Sequence, residues 1–285
     1  MTSRRRRIDP RTAQLAADFV LWAGTAVTLA VLVFIIGFVL RRGLPYVDWA
    51  FLTEAPRESG KAGGIFPMIV GTLEVTALAV LLATPLGLGT AIFLAEYTRG
   101  GPLMRVIHFG TESLAGVPSI IFGLFGFVFF VITLGFGWSV LSGGLTLAFM
   151  ILPTVIRTSE EAIKAVPASY REVALSLGAS KWESVVKVVL PSAIPGIVTG
   201  IILSVGRAME ETAVVIFTAG SSLSQAAPRS LFDGTRTLAV HVYLLAREGI
   251  STEKAFATAS VLILAILVIN STAYTIMNRF IRRYR

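Results

Sequence analysis

Three ionisable residues lie within an otherwise apolar stretch, and their types and spacing could handle an anion. Arg207 is followed by Glu210 and Glu211 in the segment from Ser192 to Thr218. On a helix both carboxylates come within reach of the guanidinium, because positions three and four residues apart share a face. A guanidinium offers paired donors to an oxyanion and stays charged at neutral pH. The cluster therefore predicts either part of an anion path or a buried ion pair that fastens helices together.

A second informative segment is polar and precedes this stretch. It extends from residue 157 to residue 191 and contains two short amphipathic patterns joined by Gly178. In the first pattern, Ser169 and Glu172 have the spacing of a capping box. Three apolar residues recur at helical spacing and form one face, namely Tyr170, Val173 and Leu177. Gly178 is typical of the position just after a helix, and Pro191 is expected to begin the apolar span that follows.

The second amphipathic pattern places Trp182, Val185, Val186 and Val189 on one side of a helix. Two short helices of this kind suit the docking of a soluble partner. They equally suit a helix pair that lies on the surface of the lipid. The residues alone leave both interpretations open.

The elements that must position these residues are predicted to be membrane-spanning helices. The chain has 285 residues, of which 54% are hydrophobic and 15% charged, against about 25% charged in an ordinary soluble domain. Between Glu112 and Arg157, 44 consecutive residues carry no charge, whereas one span needs about 20 apolar residues. Six spans are predicted, at Phe19–Leu40, at Val75–Ala95, twice within residues 113–156 on either side of Leu134–Ser139, at Ser192–Thr218 and at Ala255–Asn278. Each span is expected to be a helix, which makes the fold all-α.

The basic residues predict the orientation of the spans. If the N-terminus is inside, the inner segments hold 16 Lys and Arg residues, among them Arg4–Arg7, Arg99 and Arg285, and the outer segments hold eight. This bias favours a cytoplasmic location for both termini. The net charge of +8 is then mainly a topology signal, and it gives little support to nucleic-acid binding.

The chain lacks the residues of the common catalytic and metal sites. It has no cysteine and two histidines, His108 and His241, which are far apart in the sequence. A disulfide framework, a thiolate zinc site and a cysteine nucleophile are therefore excluded. A helical pattern near Leu238, Val242 and Leu245 predicts that His241 packs on an outer amphipathic helix rather than acting as a ligand. We therefore expect a protein that is not an enzyme.

The polar segment resembles the cytoplasmic loop of the permeases of ABC importers. That family's pattern is Glu-Ala-Ala, three residues, Gly, nine residues and Ile-x-Leu-Pro, and the matching residues are Glu172, Val173, Ala174, Gly178, Val188, Leu190 and Pro191. Val173 and Val188 replace Ala and Ile and keep their apolar character. The resemblance implies that the loop is a coupling helix seated in a cleft of a cytoplasmic ATPase. The residues that it assigns to this joint are Tyr170, Glu172, Ala174, Gly178, Leu190 and Pro191.

Other stretches resemble the permeases of phosphate importers, of the PstA type. They are residues 115–126, 152–162 and 195–203. In those permeases the pattern Arg-Ala-x-Gly-Glu-Thr matches Arg207 and Glu211, whereas Glu210 replaces the Gly. One Arg with two carboxylates carries a net negative charge. This charge disfavours an anion unless a basic residue of a partner permease, or protonation of Glu210, compensates.

The resemblance implies a six-helix membrane protein with the type I importer permease (MetI-like) core, with residues 1–64 as an N-terminal segment and 65–285 as the transmembrane domain. It implies a prokaryotic inner-membrane protein that binds no cofactor itself and works with an ATPase that uses ATP. The implied partners are a second permease subunit (PstC-like), a dimer of ATP-binding subunits (PstB-like), a phosphate-binding protein (PstS-like) and membrane lipid. The alternatives are the sister PstC-type subunit, a permease for sulfate or molybdate, a secondary transporter that needs no ATP, and a membrane scaffold.

Overall fold

The structure of this chain is a computed structural model that describes residues 10–98, 100–223 and 225–283. Within these ranges the helices are α1 (Pro10–Gly43), α2 (Trp49–Thr53), α3 (Phe66–Ile92), α4 (Pro102–Gly116), α5 (Ser119–Gly126), α6 (Val140–Lys164), α7 (Ala168–Ser176), α8 (Lys181–Ser184), α9 (Leu190–Glu210), α10 (Ala213–Thr218), α11 (Leu238–Arg247) and α12 (Thr252–Arg283). Two short antiparallel strands, β1 (Pro56–Arg57) and β2 (Ala62–Gly63), form a ribbon between α2 and α3. The prediction of an all-α fold is confirmed. Of the basic residues counted for the orientation, Arg4–Arg7, Arg99 and Arg285 lie outside the described residues.

Five of these helices, with their continuations, are long and apolar enough to cross a membrane. They are Gln14–Tyr46, Phe66–Tyr97, Val140–Lys164, Lys181–Glu210 and Thr252–Arg279. The remaining span, third in chain order, corresponds to a bent pair of helices: α4, and α5 with its continuation to Thr133, meet at an angle of 101°. If this pair is counted as one span, the total is six. The expectation that the third span is a single helix is therefore wrong. Val117 has the extended backbone that the residue before a proline prefers, and Pro118 is then the N-cap residue of α5.

The boundary between the third span and α6 lies where the sequence predicts it. The helical segment after α5 ends at Thr133, and α6 begins at Val140. Ser139 caps α6, since its Oγ accepts a hydrogen bond from the amide of Ser142 at 3.1 Å. The glycine-rich link between the two helices thus ends on a side-chain cap, as is typical of a helix N-terminus.

The fifth span differs from the prediction at both ends. The second amphipathic pattern and α9 form one continuous helix from Lys181 to Glu210, through a π-helical turn at Val185–Val189. Pro191 therefore lies inside this helix and does not begin it. A wider turn just before a proline accommodates a ring that would otherwise clash with the carbonyl four residues earlier. At the other end α9 stops at Glu210, and residues 211–212 separate it from α10.

The core forms where α6 packs against both α3 and α9. Its buried apolar residues include Val75, Ala79, Leu147, Ile151, Val155 and Ala208. Two glycines four residues apart on α9 allow a close approach to α6. A Cβ on Gly196 would lie 2.6 Å from Cβ of Ala162, and a Cβ on Gly200 would meet the side chain of Thr158. The small residues therefore set the short distance between these helices.

The two ends of the bundle carry different elements. The α7 end comprises α7 and the last turns of α3 and α6, and the α11 end comprises the β1–β2 ribbon, α11 and the first turns of α6 and α12. At the α11 end, Thr72 of α3 accepts a hydrogen bond from the amide of Leu238 at 2.8 Å. α1 packs chiefly against α12, where Oγ of Ser260 donates to the carbonyl of Val39 at 3.2 Å.

Candidate functional site

α7 ends as the sequence predicts. Gly178 has a φ of +85°, a left-handed conformation that favours glycine. The amide of Ala179 donates to the carbonyl of Ala174 at 3.1 Å, and the amide of Gly178 donates to the carbonyl of Leu175 at 3.0 Å. These two bonds form a Schellman motif, which satisfies carbonyls in the last turn of the helix. Gly178 therefore turns the chain from α7 towards α8.

The capping box predicted at Ser169 is wrong, and the one that forms lies at the start of α8. α7 begins at Ala168 with Pro167 as its N-cap residue, so Ser169 is already helical and its hydroxyl cannot cap the helix. Ahead of α8, Oγ of Ser180 accepts a hydrogen bond from the amide of Glu183 at 3.3 Å. In return, Oε2 of Glu183 accepts one from the amide of Ser180 at 3.0 Å. Both segments have the Ser-x-x-Glu spacing, but only the second begins its helix directly after the serine.

The apolar face of α7 is exposed. Tyr170, Val173 and Leu177 are 50%, 59% and 84% exposed, and Trp182 in α8 is 59% exposed. The second amphipathic pattern predicts that Trp182, Val185 and Val189 share one side of a helix. In the structure Val185 and Val189 are buried in the bundle and Trp182 is not, so these residues do not form one surface. Exposed apolar residues that cluster among charged neighbours are typical of an interaction surface. Tyr170, Val173, Leu177 and Trp182 are named the α7 surface below.

The other residues assigned to the loop joint occupy different environments. Glu172 is exposed on α7, whereas Ala174 is buried against the bundle. Leu190 is half-buried against the apolar cluster beneath α7, and Pro191 is exposed. Glu172 and Gly178 are thus accessible to a partner, while Ala174 anchors the helix. Their roles in coupling stay predictions.

Arg171 holds α7 to the bundle, and sequence reasoning missed it. Nε and Nη2 of Arg171 donate to Oε1 of Glu96 at 2.9 and 2.6 Å. Nη1 donates to the carbonyl of Val166 at 2.7 Å, and Nη2 donates to the carbonyl of Ile163 at 3.0 Å. Carbonyls at a helix C-terminus lack helical partners and carry partial negative charge, so a guanidinium stabilises the end of α6. No pattern in the sequence indicates that Glu96 and Arg171, 75 positions apart, meet.

Arg207 pairs with Glu210 on an exposed part of α9. Nη1 of Arg207 lies 3.4 Å from Oε1 of Glu210, and both side chains are more than half exposed. Exposed pairs of this kind contribute little to stability, about 0–1 kcal/mol. The pair is therefore not a buried fastener between helices of this chain.

Glu211 has a different role from the one its spacing to Arg207 suggests. Its Oε1 accepts hydrogen bonds from the amides of Ala213 at 3.0 Å and Val214 at 3.4 Å. Glu211 is 7% exposed. Its carboxylate thus caps α10 at the break after α9, because the first amides of a helix have no helical partners. The predicted contact with Arg207 is replaced by this cap.

A polar cavity of about 410 Å³ lies between α4 and α6, and the sequence did not indicate it. Inside it, Glu160 is 4% exposed, and its Oε1 lies 2.5 Å from Nζ of Lys164 and 3.4 Å from Nε2 of His108. Arg157 and Glu161 form a further pair in the lining, at 3.4 Å. The described lining holds three carboxylates, of Glu112, Glu160 and Glu161, against the two cations Arg157 and Lys164, besides His108. The cavity therefore has no excess of positive charge that would favour an oxyanion.

The amphipathic helix predicted around His241 forms α11. His241 is 1% exposed, and Nη1 of Arg236 lies 3.4 Å from its Nδ1. Burial and the nearby guanidinium lower the pKa of His241 to about 4, so the ring is neutral near pH 7. Within the part of the chain that the structure describes, no group of three or more His, Cys, Asp or Glu side chains could hold a metal ion. His241 packs in the fold, as predicted.

Comparison with known proteins adds the family. The sequence profile of the family described as "Binding-protein-dependent transport system inner membrane component" matches residues 83–285. The chain is 33% identical over 262 residues to the probable ABC transporter permease protein YqgI of Bacillus subtilis, with 87% of this chain and 89% of that protein covered. It is 36% identical over 266 residues to the phosphate transport system permease protein PstA 1 of Mycobacterium tuberculosis, with 91% and 85% covered.

Solved structures share the fold at low sequence identity. A chain of a bacterial ABC transporter involved in the import of alginate aligns with a TM-score of 0.65 at 16% identity, covering 95% of this chain and 99% of that chain. A chain of the MetNI methionine ABC transporter, in an inward-facing conformation, aligns with a TM-score of 0.62 at 19% identity, covering 74% and 93%. The chain belongs to the family of binding-protein-dependent transport system inner membrane components and is a permease of an ABC importer, related to the PstA phosphate permeases.

Proposed function

We propose that this permease is a subunit of an ATP-driven phosphate importer. The relative named PstA 1, which is covered over most of its length, supports phosphate as the substrate. In this proposal a second permease subunit completes the translocation path, a dimer of ATP-binding subunits hydrolyses ATP, and a phosphate-binding protein delivers the substrate. This chain binds no cofactor and carries out no covalent chemistry.

The observation that carries the proposal is the exposed α7 surface on a firmly held helix. Apolar side chains at the i, i+3 and i+7 positions of a helix suit insertion into a groove of a partner protein. Tyr170, Val173 and Leu177 have this spacing and are exposed, while Arg171 and Ala174, on the adjacent side of α7, hold the helix to the bundle. A helix held in this way passes a displacement to the bundle instead of absorbing it. We therefore assign the α7 surface, with Glu172 and Gly178, to the ATP-binding subunit.

The orientation follows from this assignment. An ATP-binding subunit is cytoplasmic, so the α7 end faces the cytoplasm and the α11 end faces outwards. The bias of basic residues towards the inner segments supports the same orientation, with both termini in the cytoplasm. The loop from Ser221 to Lys254, which includes α11, is then available to the phosphate-binding protein.

We assign Arg207 and Glu210 to the substrate path. They lie on an exposed part of α9, directly before the break that Glu211 caps. A second permease that packs on this side would enclose them. Because the exposed pair is weak and a guanidinium can bind phosphate with two parallel hydrogen bonds, phosphate can replace Glu210 as the partner of Arg207. The two backbone amides that donate to Glu211 partly compensate its negative charge, which reduces its repulsion of an anion beside Arg207.

The proposed mechanism is alternating access. ATP binding moves the ATP-binding subunits and with them α7. The movement rocks α3, α6 and α9, whose ends meet beneath α7 in one apolar cluster. The path beside Arg207 then opens to one side of the membrane at a time.

Co-purification of the ATP-binding subunits with the permease tests the docking assignment. Leu177→Glu places a charge on the α7 surface, and Leu175→Glu makes the same change about 200° around the helix. Both leucines are exposed, so neither change opens a cavity. We expect Leu177→Glu to lose the ATP-binding subunits and ATP-driven uptake, and Leu175→Glu to keep both. Full retention of the subunits by Leu177→Glu would instead favour a loop that lies on lipid.

A further inference from the structure

α3 continues into a π-helical turn, Phe93–Tyr97, and this last turn contacts the loop formed by α7, Gly178 and α8 at two places. Glu96 has a side chain that is 7% exposed, and it receives two hydrogen bonds from Arg171. The ring of the neighbouring Tyr97 has Nζ of Lys181 4.8 Å from its centroid. Arg171 belongs to α7 and Lys181 begins α8. Two consecutive residues at the end of α3 therefore contact the loop on either side of Gly178.

The ion pair is the stronger of these two contacts. Glu96 receives two charge-assisted hydrogen bonds in a site that water reaches poorly, and Arg171 is itself only 24% exposed. Such bonds are about twice as strong as hydrogen bonds between neutral groups. A lysine over an aromatic ring contributes less when the lysine is exposed, as Lys181 is. Removal of one partner of a buried pair leaves the other charge without compensation, so the Glu96–Arg171 pair is sensitive to substitution.

α3 connects the Glu96–Arg171 pair to the opposite end of the bundle. The helix is continuous from Phe66 to Tyr97, which corresponds to about 48 Å at 1.5 Å per residue. Near its start, Oγ1 of Thr72 accepts a hydrogen bond from the amide of Leu238 in buried surroundings. A Cβ added to Gly71 would meet the side chain of Thr235, so α3 also packs against the segment before α11. α3 therefore forms a continuous physical connection between its last turn and the α11 end.

We propose, resting on the function proposed above, that Glu96 and Arg171 are positioning residues that transmit the movement of α7 to α3. Neither residue touches substrate in this proposal. The pair joins α7, where the ATP-binding subunit would dock, to the helix that reaches the segment available to the phosphate-binding protein. It thereby makes ATP hydrolysis depend on the state of the α11 end, and transport depend on ATP.

The variant Glu96→Gln tests this proposal, because glutamine keeps the shape and one oxygen acceptor but removes the charge. The complete importer is reconstituted in proteoliposomes with the binding protein and radiolabelled phosphate. Three quantities are measured: the ATP-binding subunits that co-purify, the rate of ATP hydrolysis, and the phosphate imported per ATP hydrolysed. We expect unchanged co-purification and a fall in phosphate per ATP of about tenfold, within the usual range of coupling between sites. Stimulation of hydrolysis by the loaded binding protein should be lost as well.

Three further variants complete the test: Glu161→Gln, Arg171→Gln, and the double variant of Glu96→Gln with Arg171→Gln. Glu161→Gln makes the same chemical change at an exposed carboxylate that pairs with Arg157 within one helix, and it should leave all three quantities unchanged. The double variant of Glu96→Gln with Arg171→Gln should import no less phosphate per ATP than the more damaging of the two single variants, because both changes break the same ion pair.

A merely structural role predicts a different result. Uptake and hydrolysis would fall together, in proportion to the assembled complex, and the phosphate imported per ATP would not change. This outcome would overturn the inference. Effects of the two single variants that multiply in the double variant would overturn it as well. Uptake by the unaltered chain that ignores ATP would overturn the proposed function as well. ATP-driven uptake by the unaltered chain, with an unchanged ratio in Glu96→Gln, would overturn the inference alone.

Discussion

The guanidinium of Arg207 lies 3.4 Å from the carboxylate of Glu210, whereas the adjacent Glu211 is engaged by the backbone amides that begin α10. Neighbouring carboxylates thus have separate roles at the break in the fifth span. Glu210 belongs to an exposed and weak ion pair, and Glu211 holds the local backbone. The two can be tested by different measurements.

Glu210→Gln should leave phosphate uptake largely intact. The exposed pair contributes about 0–1 kcal/mol, so the uptake rate at saturating binding protein should change by less than about fivefold. Arg207→Gln, in contrast, removes the proposed anion ligand and should lower the rate at least about tenfold. The two rates are measured in proteoliposomes that contain equal amounts of complex. If both variants lost activity equally, the intact pair, and not Arg207 alone, would be the functional unit.

Glu211→Ala should destabilise the fold. The change leaves two amides at the start of α10 without acceptors and removes a helix cap, at a cost of about 0.5–2 kcal/mol. Thermal unfolding of the purified permease should show a lower Tm, by about 2–4 °C for each kcal/mol. Glu211→Gln keeps an oxygen acceptor and should lose less. A fully stable but inactive Glu211→Ala would place this carboxylate in the substrate path instead.

Gly178→Val should weaken docking of the ATP-binding subunits. A residue with a Cβ pays about 1–2 kcal/mol in the left-handed conformation, although open space surrounds Gly178. Asparagine tolerates this conformation, so Gly178→Asn should retain most of the subunits in a co-purification experiment. Equal loss in both variants would show that the ATP-binding subunit needs the position to be free of any side chain, and that backbone strain is not the reason.

Acid should weaken the packing of α11 through His241. Its pKa is about 4 in the fold, below the ordinary value of 6.5, so the unfolded chain binds a proton first as the pH falls. The stabilising contribution is complete above pH 6.5, and it is lost progressively between pH 6.5 and pH 4, by roughly 2 kcal/mol at pH 5. Hydrogen-exchange protection of the α11 amides at pH 5 and pH 7.5 measures this loss. The same pH dependence in His241→Gln would rule out the histidine as its source.

Local features of the loop were predictable from the sequence where one residue decides the backbone. Gly178 ends α7, because glycine adopts the left-handed conformation that follows a helix at little cost. The capping box was misplaced because Ser169 and Ser180 have the same spacing to a glutamate. The two differ in where the helix begins: α7 starts at Ala168 after the N-cap residue Pro167, two residues earlier than a cap at Ser169 would require, whereas α8 starts directly after Ser180.

Contacts between distant segments were not predictable from the sequence. The pair of Glu96 with Arg171 depends on how α3 and α7 pack, and hydrophobic patterning carries no information about that choice. The cap formed by Glu211 depends on the break between α9 and α10, whereas an apolar stretch by itself indicates one uninterrupted helix. The division of the chain at residue 65 stays a prediction.

ATP-driven uptake of radiolabelled phosphate tests the central claim most directly. The proteoliposomes contain this chain with its second permease, its ATP-binding subunits and the binding protein, and unlabelled sulfate and molybdate serve as competitors. The account predicts uptake that requires both ATP and the binding protein and that neither competitor reduces. Uptake that proceeds without ATP, or that prefers sulfate or molybdate, would contradict it.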